Sequence, residues 1–336
     1  METLKPDAAN YQRLLQRHIN TQDEQSLYEA EQISKLFIKD NVPPEEIVNL
    51  HIQALAALYP DLPVYLWHSM DFLLETMISY GIAHQEYRTL REQQSELKSE
   101  IAVAANMQDT LLATEKPDID GMDIGVVSVP AHQMNGDYYH FVTGEDGSLG
   151  IAVADVVGKG IPAALCMSMI KYSMDSLTEE TMQPQMILKN LNRVVERNVD
   201  PSMFITMFCA HLFPMNGKVW YSSAGHEPGF YYNAEQNTFE EIKAKGLVLG
   251  VNPDTDYRQY ECRLHQGDMF ILLTDGVTEC RQGERFIESE EVLNVLARFS
   301  DLPAQEMVNK VYKHFERLQN FHLRDDFTLI VLKKEV

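Results

Sequence analysis

The sequence predicts an α+β protein in which an all-helical N-terminal part precedes a domain of sheets and helices. Residues 1 to 115 contain a single glycine, Gly81, and their apolar residues recur with helical spacing. After Pro117 the sequence changes to short apolar runs separated by glycine-bearing turns, with pairs of helical segments between them. Strands interrupted by helix pairs, rather than strict alternation, favour layered and largely antiparallel sheets.

Length and charge narrow the possible functions. The 336 residues are 45% hydrophobic and 23% charged, which is typical of a globular protein with room for two domains. The chain has 28 Lys and Arg against 50 Asp and Glu, a formal net charge of −22. Such a chain repels polyphosphate backbones and anionic lipid surfaces, so we expect neither nucleic acid nor a membrane as partner.

Cysteine usage and the N-terminus predict a cytoplasmic protein. The four cysteines are far apart and contain no C-x-x-C pair, which argues against a disulfide framework or a zinc site. The first residues, METLKPDAANYQ, lack the basic and apolar regions of a signal peptide, and no run reaches the length of a membrane span.

The helical part begins with two amphipathic segments. The first is predicted to present Leu27, Ala30, Ser34 and Phe37 on one face. The second opens with Asn-Val-Pro-Pro-Glu-Glu at 41–46, a composition suited to a helix start, and its predicted face consists of Ile47, Leu50, Ala54 and Leu58. From Val64, either one very long helix or two helices meeting near Gly81 should run to about Leu112.

The end of this helical stretch carries a weak heptad pattern. Two seams recur every seven residues: Leu90, Leu97, Ala104 and Leu111 form one, and Tyr87, Gln94, Ile101 and Gln108 form the other. A solvated connecting helix is one interpretation. We favour a short parallel dimer seam that can form or loosen, because glutamines at core positions set register at a cost in stability. The predicted division is a helical partner-binding and dimerisation domain (1–84), a helical linker (85–119) and a third domain (120–336).

Strands and helices are both predicted after residue 120. Apolar runs of β-branched and aromatic residues predict strands at 124–129, 149–154, 203–213, 218–222, 229–232, 268–273 and 327–332. Helical periodicity predicts helices at 161–177, 183–199, 288–299 and 303–318.

Aspartates recur beside these predicted strands. Asp155 follows IAVA, Asp275 follows MFILLT, and Asp325 and Asp326 precede FTLIVL; Asp137 follows Gly136. Carboxylates that converge at a sheet rim need a cation to offset their repulsion, and hard oxygen ligands suit Mg²⁺ or Mn²⁺. Each site taken alone could also be a simple turn, since Asp and Gly dominate turns.

Six motifs in order carry a family resemblance. They are GDYY at 136–139, ADVVGKG at 154–160, AGHEP at 224–228, GLVLG at 246–250, TDGVTE at 274–279 and DDFT at 325–328. Together they resemble the metal-dependent serine/threonine phosphatases of the PPM (PP2C-like) family, in the branch typified by SpoIIE. The N-terminal helices and polar linker resemble those of a stress-response regulator in that branch.

The resemblance implies a β-sandwich flanked by helices, with two Mn²⁺ or Mg²⁺ ions at one edge activating a water that attacks a phosphoserine or phosphothreonine. By position, Asp155 matches the metal-bridging aspartate, the carbonyl of Val156 a backbone ligand, and Asp275 and Asp325 the other direct ligands. Asp137 matches an acidic residue that contacts metal-bound water. No nucleophilic Ser, Cys or His is then needed.

Three further positions have supporting roles. Asp326 and Gly276 are expected next to the direct ligands, although strand alternation leaves open which of Asp325 and Asp326 binds metal. His226 is either a turn histidine bonded to the backbone or a proton donor to the leaving oxygen. Gly158, Lys159 and Gly160 predict a tight turn rather than a P-loop, because the spacer and the terminal Ser or Thr are missing.

The sequence thus predicts a phosphoprotein phosphatase. The resemblance implies that its substrate is a phosphorylated anti-sigma factor antagonist, that a kinase-like protein activates it through residues 1–84, and that it is a homodimer. Residues 1–84 contain 5 basic and 12 acidic side chains, which would favour a basic partner surface. The alternatives are an adaptor built on an inactive phosphatase domain and a hydrolase of small phosphate esters.

Overall fold

The computed structural model describes residues 8–157, 160–176, 183–200, 203–283 and 285–335. Gly158, Lys159 and the last residue of the predicted 161–177 helix lie outside this part. The chain divides into two compact units, Met1–Lys98 and Ser99–Val336. The division falls inside the predicted linker, so the second part of that linker belongs to the second unit.

Helices make up the described part of the first unit. They are α1 (Ala8–Thr21), α2 (Glu24–Lys39), α3 (Pro44–Leu58) and the first part of α4 (Val64–Leu112). Of the two alternatives for the last segment, the structure has the single helix, which passes through Gly81 and has 49 residues.

The buried face of α2 differs from the predicted one. Ser26, Ile33 and Phe37 are buried, whereas Leu27 is 57% exposed. The prediction was right for Phe37 and wrong for Leu27, Ala30 and Ser34. Ser26 is buried although it is polar, because its backbone N–H donates to Oδ1 of the N-cap residue Asp23 at 2.6 Å and its hydroxyl contacts Nδ1 of His18 at 2.7 Å.

Two antiparallel five-stranded sheets are found in the described part of the second unit. One has the order β1-β12-β9-β6-β7 and the other β2-β3-β4-β5-β8. A short hairpin, β10-β11, stands apart. The strands are β1 (Met122–Val129), β2 (Asp137–Thr143), β3 (Leu149–Val156), β4 (Ile205–Phe213), β5 (Lys218–Ala224), β6 (Gly229–Asn233), β7 (Thr238–Ile242), β8 (Tyr260–Arg263), β9 (Met269–Leu273), β10 (Arg281–Gln282), β11 (Arg285–Phe286) and β12 (Phe327–Lys334).

Helices cover the outer faces of both sheets. Helices α5 (Ile161–Asp175) and α6 (Pro184–Asn198) pack on the β2–β8 sheet, while α8 (Ser289–Arg298) and α9 (Ala304–Leu318) cover the other; α7 (Asp275–Thr278) is a single turn. Three apolar cores fill the layers, and the central one joins residues such as Ile151 and Phe208 with Leu272 and Ile330 across the two sheets. The predicted helix-flanked β-sandwich is confirmed.

The last three turns of α4 belong to the second unit and pack within it. Ala105 is buried with Met134 and Ala164, and Ile101 and Ala104 lie beside them. Gln108 is 3% exposed and bonded within its own chain, whereas Leu90 and Leu97 are more than half exposed. The predicted dimer seam is therefore wrong at Ile101 and Gln108, which contact residues of their own chain instead of a second helix.

All four cysteines are free, as predicted. No helix in the described residues is long and apolar enough to cross a membrane.

Candidate metal centre

The predicted carboxylates gather where strands of both sheets end. Asp137 and Asp155 are directly paired in register at one end of β2 and β3. Asp275 begins α7, two residues after β9 ends, and Asp325 and Asp326 immediately precede β12. Because β9 and β12 are antiparallel neighbours that pair Leu273 with Leu329, the end of one meets the start of the other.

Two glycines allow these segments to approach closely. A Cβ at Gly136 would lie 3.0 Å from Asp326 Oδ2, 3.7 Å from Asp155 Oδ1 and 3.9 Å from the carbonyl oxygen of Val156. A Cβ at Gly276 would collide with the backbone of Asp326. The small cradle at Gly136 thus collects one carboxylate oxygen and one carbonyl oxygen that were both predicted to bind metal.

The carboxylates raise one another's pKa. Burial, followed by repulsion from Asp275, Asp325 and Asp326, raises the pKa of Asp155 to about 7. Burial, followed by repulsion from Asp325, Glu279 and Glu227, raises the pKa of Asp275 to about 6. The charges that raise these two pKa values are all carboxylates, so the edge has a local excess of negative charge.

Asp325 and Asp326 have different environments. Asp326 is buried, and its carboxylate accepts hydrogen bonds from the backbone N–H groups of Ala131, at 2.6 Å, and Gly136. Asp325 is exposed, and the backbone N–H of Asp326 donates to its Oδ1 at 3.1 Å. Asp326 therefore holds the 131–136 loop, and Asp325 keeps its outer oxygen available at the edge.

Asp137 lies deeper than the other aspartates. It is 3% exposed, and Thr274 Oγ1 donates to its Oδ2 at 2.6 Å. Burial is the main cause that raises its pKa well above the usual range, partly offset by the hydroxyls of Thr274 and Thr328. The Thr274 contact connects the β2–β8 sheet to the residue that precedes Asp275.

His226 lies buried between β4 and the end of β9. Its Nδ1 lies 2.9 Å from Thr206 Oγ1, and its Nε2 lies 3.2 Å from the carbonyl oxygen of Leu273. Burial lowers its pKa to about 4, so the ring is neutral and donates from Nε2 to that carbonyl. Of the two roles left open for His226, this geometry matches the histidine bonded to the backbone, and it connects Thr206, the ladder partner of Asp155, to the end of β9.

The donor set fits hard divalent cations. Carboxylate and carbonyl oxygens converge, and positive charge would relieve the repulsion that raises the pKa values of Asp155 and Asp275. In the described residues, no group of three or more His, Cys, Asp or Glu side chains lies in an arrangement that could hold a metal ion by itself. A backbone carbonyl and water would therefore have to complete the coordination.

Comparison with known proteins identifies the family. Residues 145–335 match the family model "Stage II sporulation protein E (SpoIIE)", and residues 9–83 match "Phosphoserine phosphatase RsbU, N-terminal domain". The chain is 54% identical over 326 residues to the phosphoserine phosphatase RsbU of Bacillus subtilis, covering 97% of each chain. The chain belongs to the SpoIIE family. It is a phosphatase of the PP2C type, and phosphatases of this type depend on metal ions.

Solved structures agree with the SpoIIE-family fold. The SiaA-PP2C domain of Pseudomonas aeruginosa superposes with a TM-score of 0.62 at 20% identity, covering 72% of this chain and 98% of that one. A structure of the PP2C domain and part of the regulatory domain of SpoIIE from Bacillus subtilis gives 0.52 at 17% identity, covering 65% and 64%.

Several residues of this SpoIIE-family site were missed in the sequence. Asn135 Oδ1 accepts from the backbone N–H of Asp137 at 2.9 Å, and Gln108 bonds to the backbone of Asn135. Glu227 and Glu279 are additional carboxylates beside Asp275. Glu227 and Glu279 stand inside the AGHEP and TDGVTE motifs and could have been found there; Gln108 carries no local signal.

Proposed function

We propose that this SpoIIE-family phosphatase removes phosphate from a phosphoserine or phosphothreonine of an anti-sigma factor antagonist, in a cytoplasmic stress-response pathway. The support is the 54% identity to RsbU along 97% of both chains, together with the match of an RsbU-type N-terminal domain at residues 9–83. Because the similarity to this relative covers both the N-terminal helices and the phosphatase domain, we infer that both regions have the same roles in the two proteins.

The observation that carries the catalytic part is the Gly136 cradle. Asp155 Oδ1 and the Val156 carbonyl flank it, while Asp275 and Asp325 act electrostatically on Asp155 from the other sheet. We propose Asp155 as the bridging ligand of two Mn²⁺ or Mg²⁺ ions, with the Val156 carbonyl, Asp275 and Asp325 as the other ligands. When bound, such an ion pair lowers the pKa of water and stabilises the attacking and leaving oxygens.

The chain's own residues then hold the ligands in place. Asp326 orients the 131–136 loop through two backbone N–H groups, and Thr274 holds Asp137 beneath the edge. His226, hydrogen-bonded between β4 and the end of β9, keeps the segments of Asp155 and Asp275 in register. Asp137, next to Asp155 in the ladder, would orient water held by the ions.

We propose that a kinase-like activator binds the N-terminal helices and that the chain works as a homodimer. The first unit exposes large apolar side chains, including Ile38, Tyr65 and Phe72, each at 70% exposure or more. Exposed apolar surface of this kind is typical of protein interfaces. The exposed positions Leu90, Gln94 and Leu97 remain available for a dimer seam that an activator could stabilise.

The test is a phosphatase assay of the full chain with MnCl₂ and with MgCl₂. We expect turnover of the phosphorylated anti-sigma factor antagonist, none of a nucleotide monophosphate, and loss of turnover in Asp155→Asn. Turnover of nucleotides at a comparable rate would favour a hydrolase of small esters. Phosphoprotein binding without turnover, with either ion and with the activator present, would favour the adaptor.

A further inference from the structure

A basic cleft lies between α8 and α9 of this acidic protein. Its volume is about 500 Å³, and Arg298 at the end of α8 lines it together with Lys310, Lys313 and Arg317 of α9. Three- and four-residue spacings place the three α9 side chains on one face of the helix. All four cations are exposed.

These cations are not neutralised within the described residues. The ion pairs found there involve none of the four. The acidic residues of the same two helices include Glu291, which pairs with Arg285, and Glu316, which accepts from the Tyr312 hydroxyl. Positive charge is thus concentrated here although the chain as a whole is at −22.

Helix stability accounts for only part of this arrangement. Arg298 and Arg317 lie in the last turns of their helices, where cations interact favourably with the helix dipole. Lys310 and Lys313 lie further inside α9, where that interaction is weak. His314 also lines the cleft, and its pKa is lowered by burial and then by repulsion from Arg298 and Arg317.

A smaller apolar pocket adjoins the basic cleft. It has a volume of about 230 Å³ and shares His314 and Leu318 with the cleft. Its other lining residues are Gln282, Ile287, Glu291, Asn294, Val295 and Phe315, and the Glu291 carboxylate is paired with Arg285. A free inorganic anion would use only the basic half. A polypeptide that places acidic side chains beside one apolar side chain would use both.

The basic cleft and the adjoining apolar pocket together form the α8–α9 groove, which is close to the sheet edge where the aspartates gather. The rings of Tyr312 and Phe315 lie 5.3 and 6.2 Å from that of Phe327, which directly follows Asp326. Gln282 lines the apolar half and comes seven residues after Asp275, so at most about 25 Å separates their backbones. A standard protein interface of about 800 Å² per partner is about 30 Å across and could cover both places.

We propose that this α8–α9 groove is the docking surface for an acidic segment of the phosphoprotein substrate. The proposal rests on the proposed function, because it assigns a surface for the same substrate. The net charge of the chain repels an acidic protein at long range, whereas the groove attracts it near the edge where phosphate is removed. Acidic side chains contact Lys310, Lys313 and Arg317, and an apolar side chain enters the adjoining pocket.

The test compares two charge-reversal variants of the full chain. Lys313→Glu with Arg317→Glu reverses two of the four groove charges, so the sum of the four falls from +4 to 0. Arg193→Glu with Arg197→Glu is the control, since both pairs are four residues apart on 15-residue helices and both end in a basic residue of the last turn. The two variants therefore change the net charge equally, and they lose similar helix stability from placing acidic residues near a helix C-terminus.

Each variant is assayed with the phosphorylated anti-sigma factor antagonist and with p-nitrophenyl phosphate. We expect the groove variant to raise KM for the phosphoprotein about tenfold or more, with kcat and p-nitrophenyl phosphate turnover within about twofold of wild type. Added NaCl should raise KM of the wild type and of the control, and leave KM of the groove variant nearly unchanged.

An unchanged KM in the groove variant, or the same rise in the control variant, would overturn the docking proposal while the proposed function stands. Wild-type turnover of p-nitrophenyl phosphate without any turnover of the phosphoprotein would overturn both. Thermal unfolding checks the fold, and Lys313→Gln with Arg317→Gln replaces the groove variant if charge reversal prevents folding. Neutralisation should still raise KM, and a KM equal to that of wild type would contradict the proposal.

Discussion

Gln108 and Asn135 hydrogen-bond to each other in both directions. Nε2 of Gln108 donates to the carbonyl oxygen of Asn135 at 2.8 Å, and the backbone N–H of Asn135 donates to Oε1 of Gln108 at 3.1 Å. The Asn135 side chain in turn accepts from the N–H of Asp137. The end of α4 is thus tied, through one residue, to the first residue of the strand that pairs with β3.

Gln108→Leu should destabilise the second unit by about 2 kcal/mol. Both backbone groups of Asn135 would lose partners in a buried place, and leucine can replace neither. Phosphatase activity should fall with it, because the loop before Asp137 loosens. Urea unfolding and turnover measure the two effects. Gln94→Leu is the matched control: the same change at an exposed position should leave the unfolding free energy of the monomer within about 0.5 kcal/mol.

Gln94→Leu should strengthen self-association and raise activity in the absence of an activator. Gln94 is exposed at a core position of the predicted seam, where leucine supplies apolar contact between two helices. Sedimentation and turnover at matched concentrations give the two readouts. A variant that is more dimeric but no more active would exclude the linker as the regulatory element. Gln94→Leu is tested alone, because Gln108→Leu would also remove the hydrogen bonds to Asn135, and the effect of dimerisation could not then be separated from the effect of losing them.

Asp155→Asn should abolish turnover and stabilise the metal-free protein. Burial and then repulsion from the neighbouring carboxylates raise the pKa of Asp155 to about 7, and a neutral asparagine avoids both costs. MnCl₂ at about 100 times its Kd should stabilise the wild type by about 2.7 kcal/mol and leave the variant unchanged. Asp256→Asn, on an exposed side chain, should behave as wild type in thermal unfolding with and without MnCl₂.

Asp325→Ala should lose metal binding, whereas Asp326→Ala should lose fold stability. Asp325→Ala should unfold like wild type without metal but lose the stabilisation by MnCl₂, because its side chain is exposed. Asp326→Ala removes the acceptor of two backbone N–H groups and should cost about 2–4 kcal/mol. Calorimetric titration with MnCl₂ and urea unfolding distinguish the two. Equal metal affinity of Asp325→Ala and wild type would contradict the proposed ligand.

Because of His226, the free energy of unfolding should fall as the pH is lowered from about 6.5 to about 4. Its pKa is about 4 in the folded protein and near 6.5 when exposed, so the unfolded state takes up the proton first as pH falls. The stability due to the neutral ring is complete above pH 6.5 and is lost towards pH 4, a change of about 3 kcal/mol. In EDTA, the difference in unfolding free energy between wild type and His226→Gln should narrow by that amount. A constant difference would contradict a neutral buried ring.

The strands that sequence reasoning missed lie at sheet edges. β3, β9 and β12 were predictable because each is central in its sheet and buried on both faces, which gives a continuous apolar run. β2, β7 and β8 are edge strands, and charged residues such as Glu240 and Glu261 replace the apolar signal there.

The metal-edge aspartates were found from motifs, but their division of roles was not. Asp325 and Asp326 are adjacent, and only the contacts of Asp326 with Ala131 and Gly136 separate them. Thr274 opens the TDGVTE motif, but its contact with Asp137 spans 137 residues and the contact of Gln108 with Asn135 spans 27, so neither contact follows from a local pattern. The first unit shows the same limit, because Ser26 is buried by a cap that periodicity does not detect.

The Gly136 cradle has a consequence for how inactive relatives arise. A single methyl group at Gly136 would stand 3.0 Å from Asp326 Oδ2, 3.7 Å from Asp155 Oδ1 and 3.9 Å from the Val156 carbonyl, and would crowd two of the oxygens proposed to hold the ions. Such a protein would retain every aspartate of the edge. Loss of an aspartate is therefore not the only path from enzyme to scaffold, and a sequence scan for decayed members of this lineage must also inspect its glycines.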